Sequence, residues 1–382
     1  MSLDRRGFLG AAALLAAPGV LFAQAATERR FIFIIQRGAA DGLNTLIPYA
    51  DPAYASARGA LAIDAASALK LDGTFGLHPS LANLRDLYAA GQANFFHAVA
   101  SPYRDRSHFD GQNVLETGGS APYQVKDGWM NRLLAVLPHG GKEAIAFSPA
   151  IPMALRGSVE VTSYAPSNLP ELEEDLMMRV EQLYARDGQL HALWAAALEA
   201  RGMAGEMGAG AKRQSATALG SMAAGFLGRT DGPRIAMIET GGWDTHSGQN
   251  ARLANQLKNL DGLIAGLREG LGATWDKTVI LVATEFGRTV AANGTGGTDH
   301  GTGAVAMLIG GAVQGGRIVA DWPGLSSANL LEGRDLKPTL ALDALVAAAC
   351  AESFALEQDR ISKVLFPNGA RQAKPVPRLL RA

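Results

Sequence analysis

Four carboxylates and three histidines in this sequence stand in short polar clusters, where glycine and arginine are their commonest neighbours. Asp41 follows Arg37-Gly38, His108 follows Arg106-Ser107, and Asp244 and His246 are two residues apart behind Gly241-Gly242. Glu285 precedes Gly287-Arg288, and Asp299-His300 is flanked by Gly297 and Gly301. Carboxylate oxygen mixed with imidazole nitrogen suits zinc or manganese, and calcium or magnesium where oxygen dominates. Gathered at one place without a cation, so many acidic groups would repel each other or lose solvation. The expected metal ligands are therefore Asp41, Asp244, His246, Glu285, Asp299 and His300, enough for one or two divalent ions. Paired ions assist an in-line displacement by handling the attacking and the leaving oxygen. Arg37, Arg106 and Arg288 either fork onto a tetrahedral oxyanion or neutralise the carboxylates beside them. Ser107 is the hydroxyl placed as a nucleophile, and His108 or a metal would have to activate it. Ser107, His108 and Arg288 form the expected catalytic set.

Each cluster also has a plain structural reading. Asp41 could cap a short helix, Asp244 or Thr245 could cap the helix that follows, and His300 could be a hydrogen-bonded core histidine.

The elements that must position these residues are legible as short apolar runs without polar alternation: 31–35, 94–99, 235–238, 278–283 and 304–309. Such runs read as strands buried on both faces. Between them, 81–90 and 253–267 repeat apolar residues three and four apart, as helices do. Strands alternating with helices imply an α/β fold with a mostly parallel sheet sandwiched by helices. Four of the polar clusters come directly after a strand, and 296–301 can fold back to the same edge before the strand at 304–309. The carboxyl edge is where open α/β sheets bind ligands. The stretch 170–227 offers no strand and reads as a helical insertion, dense in Ala, Leu, Met and Glu. Residues 371–382 read as a loosely held tail.

The chain has 382 residues, 48% of them hydrophobic, which suffices for one large domain over 26–370. Its formal net charge of -1 excludes the basic footprint of a nucleic-acid binder. Residues 1–25 have the layout of an export signal: Arg5-Arg6-Gly7-Phe8-Leu9, an Ala-rich apolar run, then Ala23-Gln24-Ala25. Paired arginines before Phe-Leu point to twin-arginine export, hence to the export machinery as a partner and to a periplasmic or secreted location. The apolar run is shorter than the ~20 residues that span hydrocarbon, so no stable membrane anchor is expected. Cys350, the single cysteine, lies in an apolar helical stretch and reads as a buried thiol.

Taken in order, the motifs around Asp41, Ser107-His108, Asp244 with His246, Glu285-Phe286-Gly287-Arg288 and Asp299-His300 resemble the domain-of-unknown-function 1501 family of exported proteins, itself similar to alkaline phosphatases and sulfatases. The resemblance covers nearly the whole mature chain. It implies an alkaline phosphatase-like fold, with Asp41, Ser107, Asp244, His246 and His300 at the metal and nucleophile positions. Against that pattern, Asp244 and His246 are closely spaced, and Glu285-Phe286 stands where an Asp-His pair belongs. The cysteine that sulfatases convert to formylglycine has no counterpart, since Cys350 is elsewhere. The expected function is an exported metal-dependent hydrolase of a small anionic, phosphate-type ester. A non-catalytic periplasmic binding or assembly protein on the same fold is the alternative.

Overall fold

The computed structural model describes residues 28–138, 143–165, 215–369 and 376–381, with part of 180–195. The expected signal and most of the expected insertion lie outside the described residues.

Each expected strand is present. Arg30–Gln36 forms β1, Ala93–Ala100 β5, Ile235–Thr240 β8, Thr278–Thr284 β9 and Ala304–Ile309 β10. A small sheet is made by β2 (Leu46–Ile47), β3 (Leu69–Lys70) and β4 (Gly76–Leu77). The remaining strands are β6 (Ala144–Phe147), β7 (Thr162–Ser163), β11 (Arg317–Val319) and β12 (Leu340–Ala341). The main sheet runs β11-β5-β10-β9-β1-β8-β6-β7, with β12 beside β5. Among the described strands of this sheet, only β10 runs against the rest: it is antiparallel to β5 and β9, whereas β1 is parallel to both β8 and β9.

The helices, in chain order, are α1 (Gly42–Thr45), α2 (Tyr54–Arg58), α3 (Ala82–Ala89), α4 (His108–Thr117), α5 (Trp129–Val136), α6 (Ala216–Leu227), α7 (Gln249–Leu271), α8 (Leu342–Ser353) and α9 (Gln358–Leu365). They cover both faces of the sheet, which is why β1 is apolar at every central position. Phe31, Phe33 and Ile35 face a core that includes Trp129 of α5 and Val346 and Cys350 of α8. Ile32 and Ile34 point the other way, into a core with Leu84 of α3, Phe226 of α6 and Leu257 and Ile264 of α7. Burying each such side chain stabilises by roughly 2–3 kcal/mol. Burial raises the Cys350 thiol far above its ordinary range, so it is an inert core group.

The end of the chain corrects one expectation. Within the tail, Leu379 and Leu380 are buried, and the Glu352 carboxylate accepts their backbone N–H groups at 3.0 and 2.8 Å. Arg381 N–H also bonds Ala312 O at 2.9 Å, so 376–381 is docked rather than loose. Leu379 and Leu380, with Val376 packed against the same core, supply that anchor in a proline-containing segment. Among the described residues, no helix is long and apolar enough to cross a membrane.

Candidate metal centre

The strand ends and the start of β10 share one edge, and the polar clusters meet there. After β9 the chain passes through Glu285 to Thr289, loops out, and returns as 299–303 alongside 287–289 before entering β10. Gly301 N–H bonds Gly287 O and Thr289 N–H bonds Asp299 O, which seats His300 across from Arg288. The loop also clamps the segment after β8: Asn293 Nδ2 and Thr295 Oγ1 both donate to His246 O, at 2.9 and 2.6 Å. Beside them Gly38 holds φ +116, and a Cβ there would lie 2.6 Å from the Asp244 backbone nitrogen. Only glycine lets the turn after β1 lie this close to the Asp244 backbone.

Three imidazoles converge on one oxygen. His246 Nε2 is 3.0 Å from Asp244 Oδ1, and His108 Nε2 and His300 Nε2 are each 3.5 Å from it. In every case Nδ1 faces an acceptor: Glu285 Oε1 at 2.8 Å for His108, the Arg106 carbonyl at 2.8 Å for His300, and Asp299 Oδ1 at 3.2 Å for His246. A proton on Nδ1 leaves the Nε2 lone pair free, which is the state in which imidazole binds a metal. His246 Nε2 and His300 Nε2 stand 2.9 Å apart, and His108 Nε2 is buried without a hydrogen-bond partner. Lone pairs so close together repel unless a proton or a cation lies among them. His108, Asp244 and His300 alone already place one donor atom each within 4.8 Å of the others. Two nitrogens and one carboxylate oxygen therefore fit a divalent cation of the zinc or manganese kind, with His246 Nε2 adjoining the His300 and Asp244 donors.

The surrounding charges act on these groups in different directions, some favouring the neutral rings and some the protonated ones. Burial works against ionising Glu285, but the hydrogen bonds from His108, Gln112 and the Gly38 N–H hold its carboxyl below the usual range. The Glu285 bond in turn is the main cause that raises the His108 pKa, against burial. Burial lowers that of His300, which favours the neutral ring. Burial works against ionising Asp244, but Arg288, whose guanidinium donates to Oδ1 at 2.7 Å, together with His246 and His108 holds its carboxyl below the usual range. Phe286 stacks on His108 with centroids 5.1 Å apart and lies 5.4 Å from the His300 ring, so an aromatic side chain orients two imidazoles.

The structure sorts the expected residues differently from their sequence assignment. Glu285 and Asp299 hold the Nδ1 atoms of His108 and His246. His108, expected to serve catalysis, turns Nε2 toward Asp244, while its Nδ1 is committed to Glu285. Arg288 is buried against Asp244 and Thr298, so its fork is spent on protein groups. Asp41 is set apart, only 1% exposed, in an ion pair with Arg58 and in contact with Gln249, and it caps α1 through Asn44 N–H at 3.0 Å. With its oxygens so occupied, the capping role describes Asp41. The alternative that Asp244 or Thr245 caps α7 does not hold, because Gly248 occupies that position. Ser107 precedes α4 without using its hydroxyl as a cap.

Gln112 and Gln249 lie outside the sequence motifs, and Phe286 and Thr298 lie within them with no role assigned from sequence. Gln112 lies one helical turn after His108, a spacing that puts both on Glu285. Gln249 Oε1 accepts from Thr298 Oγ1 at 2.6 Å, and Thr298 Oγ1 accepts from Arg288 Nε at 3.0 Å, linking Asp41 to Asp244 through buried groups.

Residues 28–365 match the family described as "Protein of unknown function (DUF1501)". The chain belongs to this family. Comparison with curated proteins gives no match. Solved structures similar to this family member are remote. The C-terminal periplasmic domain of EcEptC from Escherichia coli, in complex with zinc, has 10% identity and a TM-score of 0.45 over 94% of this chain and 93% of its own. The PsFucS1 sulfatase from Pseudoalteromonas sp. has 13% identity and a TM-score of 0.39 over 94% and 75%. The phosphonate monoester hydrolase of Agrobacterium radiobacter has 13% identity and a TM-score of 0.33 over 91% and 79%.

Proposed function

We propose that this chain is an exported, metal-dependent hydrolase of the alkaline phosphatase/sulfatase-like type that cleaves a phosphate-type ester. The observation that carries this reading is the convergence of three imidazole Nε2 atoms on Asp244 Oδ1, each ring fixed through its Nδ1. His108, His246, His300 and Asp244 would hold one divalent ion. When bound, such an ion supplies a Lewis acid for a phosphoryl oxygen.

The protein's own groups do the rest. Glu285, Asp299 and the Arg106 carbonyl keep the imidazoles turned inward, and Arg288 neutralises Asp244 without entering the open side of the site. Ser107 is the proposed nucleophile. It stands between Arg106, whose carbonyl orients His300, and His108, and its hydroxyl caps nothing. The N-terminus of α4 begins there, and its partial positive charge favours an anionic ester beside Ser107. The absence of a sulfatase-type cysteine favours phosphate over sulfate, since Cys350 is buried in α8.

One observation favours the non-catalytic alternative. Arg37, Arg106 and Arg288 all have carboxylate partners, in Glu116 and Glu239, Glu332 and Asp335, and Asp244. None of the three is left as an unpaired clamp for a tetrahedral anion. The deciding experiment is hydrolysis of an aryl phosphate by metal-loaded protein, with Ser107→Ala as the control. The proposal expects turnover that the variant loses. A fully loaded protein that cleaves neither phosphate nor sulfate esters would make it a binding protein.

A further inference from the structure

A cleft of about 570 Å³ opens beside the metal centre, between α2, the 289–293 turn and the 325–334 segment. Its volume falls within the roughly 300–1,000 Å³ of small-molecule sites. It meets the centre at Asp299, which lines the cleft and also holds His246 Nδ1 at 3.2 Å. The near end of the cleft is thus one imidazole ring away from Asp244. Asn293 reinforces this shared wall, donating to Asp299 Oδ1 at 3.2 Å and to the His246 carbonyl.

The lining defines what fits. Hydroxyl side chains in the lining are those of Ser56, Thr289, Ser326 and Ser327, beside apolar groups such as Val290 and Leu325, and no aromatic ring lines it. The Asp299 carboxylate at the metal end disfavours a second anionic group, and Arg334 already pairs with Asp335 at 3.0 Å. An occupant there is uncharged and offers hydroxyls rather than a flat ring.

We propose that this cleft holds the alcohol portion of the ester as a polyol, a sugar or glycerol unit, while the anionic group sits at the metal centre. For the identity of that anionic group the proposal rests on the hydrolase reading above. The test is calorimetric titration of zinc-loaded protein with inorganic phosphate, phenyl phosphate, glucose 6-phosphate and glycerol 3-phosphate. The expected result is that one or both polyol phosphates bind at least about tenfold more tightly than inorganic phosphate, and that phenyl phosphate gains nothing comparable. Ser56→Trp and Ser327→Trp, both at exposed positions of the lining, should remove that advantage and leave the affinity for inorganic phosphate unchanged. Polyol phosphates that bind no better than inorganic phosphate, or an advantage that survives both substitutions, would overturn the inference. Turnover is scored separately. Tight polyol binding without hydrolysis keeps the inference and removes the hydrolase reading; hydrolysis of phenyl phosphate without a polyol advantage does the reverse.

Discussion

The state of three imidazoles decides what this site can do, and that state is set by the atom each ring has behind it. Glu285 is the most consequential such partner, because it is fully buried and its Oε1 meets Gly38 N–H, His108 Nδ1 and Gln112 Nε2 at 2.8, 2.8 and 3.0 Å. Glu285→Gln keeps the volume but removes the charge that fixes the His108 tautomer. It should weaken metal binding by about 10–100-fold, as loss of a partner behind a ligating histidine does. Chelator competition measures this, and an unchanged affinity would remove Glu285 from the account. Ser107→Ala should behave in the opposite way, with metal retained and aryl phosphate turnover lowered by several orders of magnitude. If the variant keeps the wild-type rate, the nucleophile is an activated water rather than Ser107.

At the scale of elements, the turn after β1 is a tight constraint on the site. Gly38→Ala places a side chain at φ +116 against the Asp244 backbone, so it should cost about 1–3 kcal/mol and lower metal content as well. Thermal melts of the metal-free protein separate the two effects, and an unchanged melting temperature would mean that the turn is not strained. Much of this level was legible in the sequence. Runs such as 31–35 and 304–309 carry no polar residue, so burial on both faces was their simplest reading, and the return of 296–301 to the same edge follows from where β10 begins. Other strands were not legible. Ala144–Phe147 has four residues, two of them alanine, and Arg317–Val319 only three, so neither carries a period. In the site, the grouping of polar clusters at strand ends was readable, but their division of labour was not. Asp41 looks like any acidic group after a strand until Arg58, 17 residues on, is folded against it. Likewise Gln112 and Gln249 have no sequence feature that separates them from ordinary helix residues.

For the whole molecule, acid stability depends on a histidine far from the chemistry in role. His97 is fully buried, its Nε2 faces Leu46 O at 2.9 Å, and its Nδ1 accepts Ala98 N–H, so both ring nitrogens are used by the neutral form. Burial pushes its pKa down to about 4. The unfolded chain takes up that proton near pH 6.5, so stability is complete above that pH and falls as pH drops toward 4, by on the order of 3 kcal/mol. Urea denaturation across this range should show the loss, with His97→Gln giving a flatter dependence; identical slopes would exclude His97 as the cause. The proposed export would rest on the first 25 residues. Changing Arg5 and Arg6 together to Lys should leave precursor inside the cell, and normal amounts of exported double variant would refute twin-arginine transport. The claim on which the rest depends is that His108, His246, His300 and Asp244 hold a divalent ion, and elemental analysis of the purified mature protein addresses it directly. The account predicts about one zinc-type ion per chain, as a four-donor site of this kind binds, and its loss in Asp244→Asn with the fold intact. A native protein without metal, or an Asp244→Asn variant with undiminished metal, would contradict it.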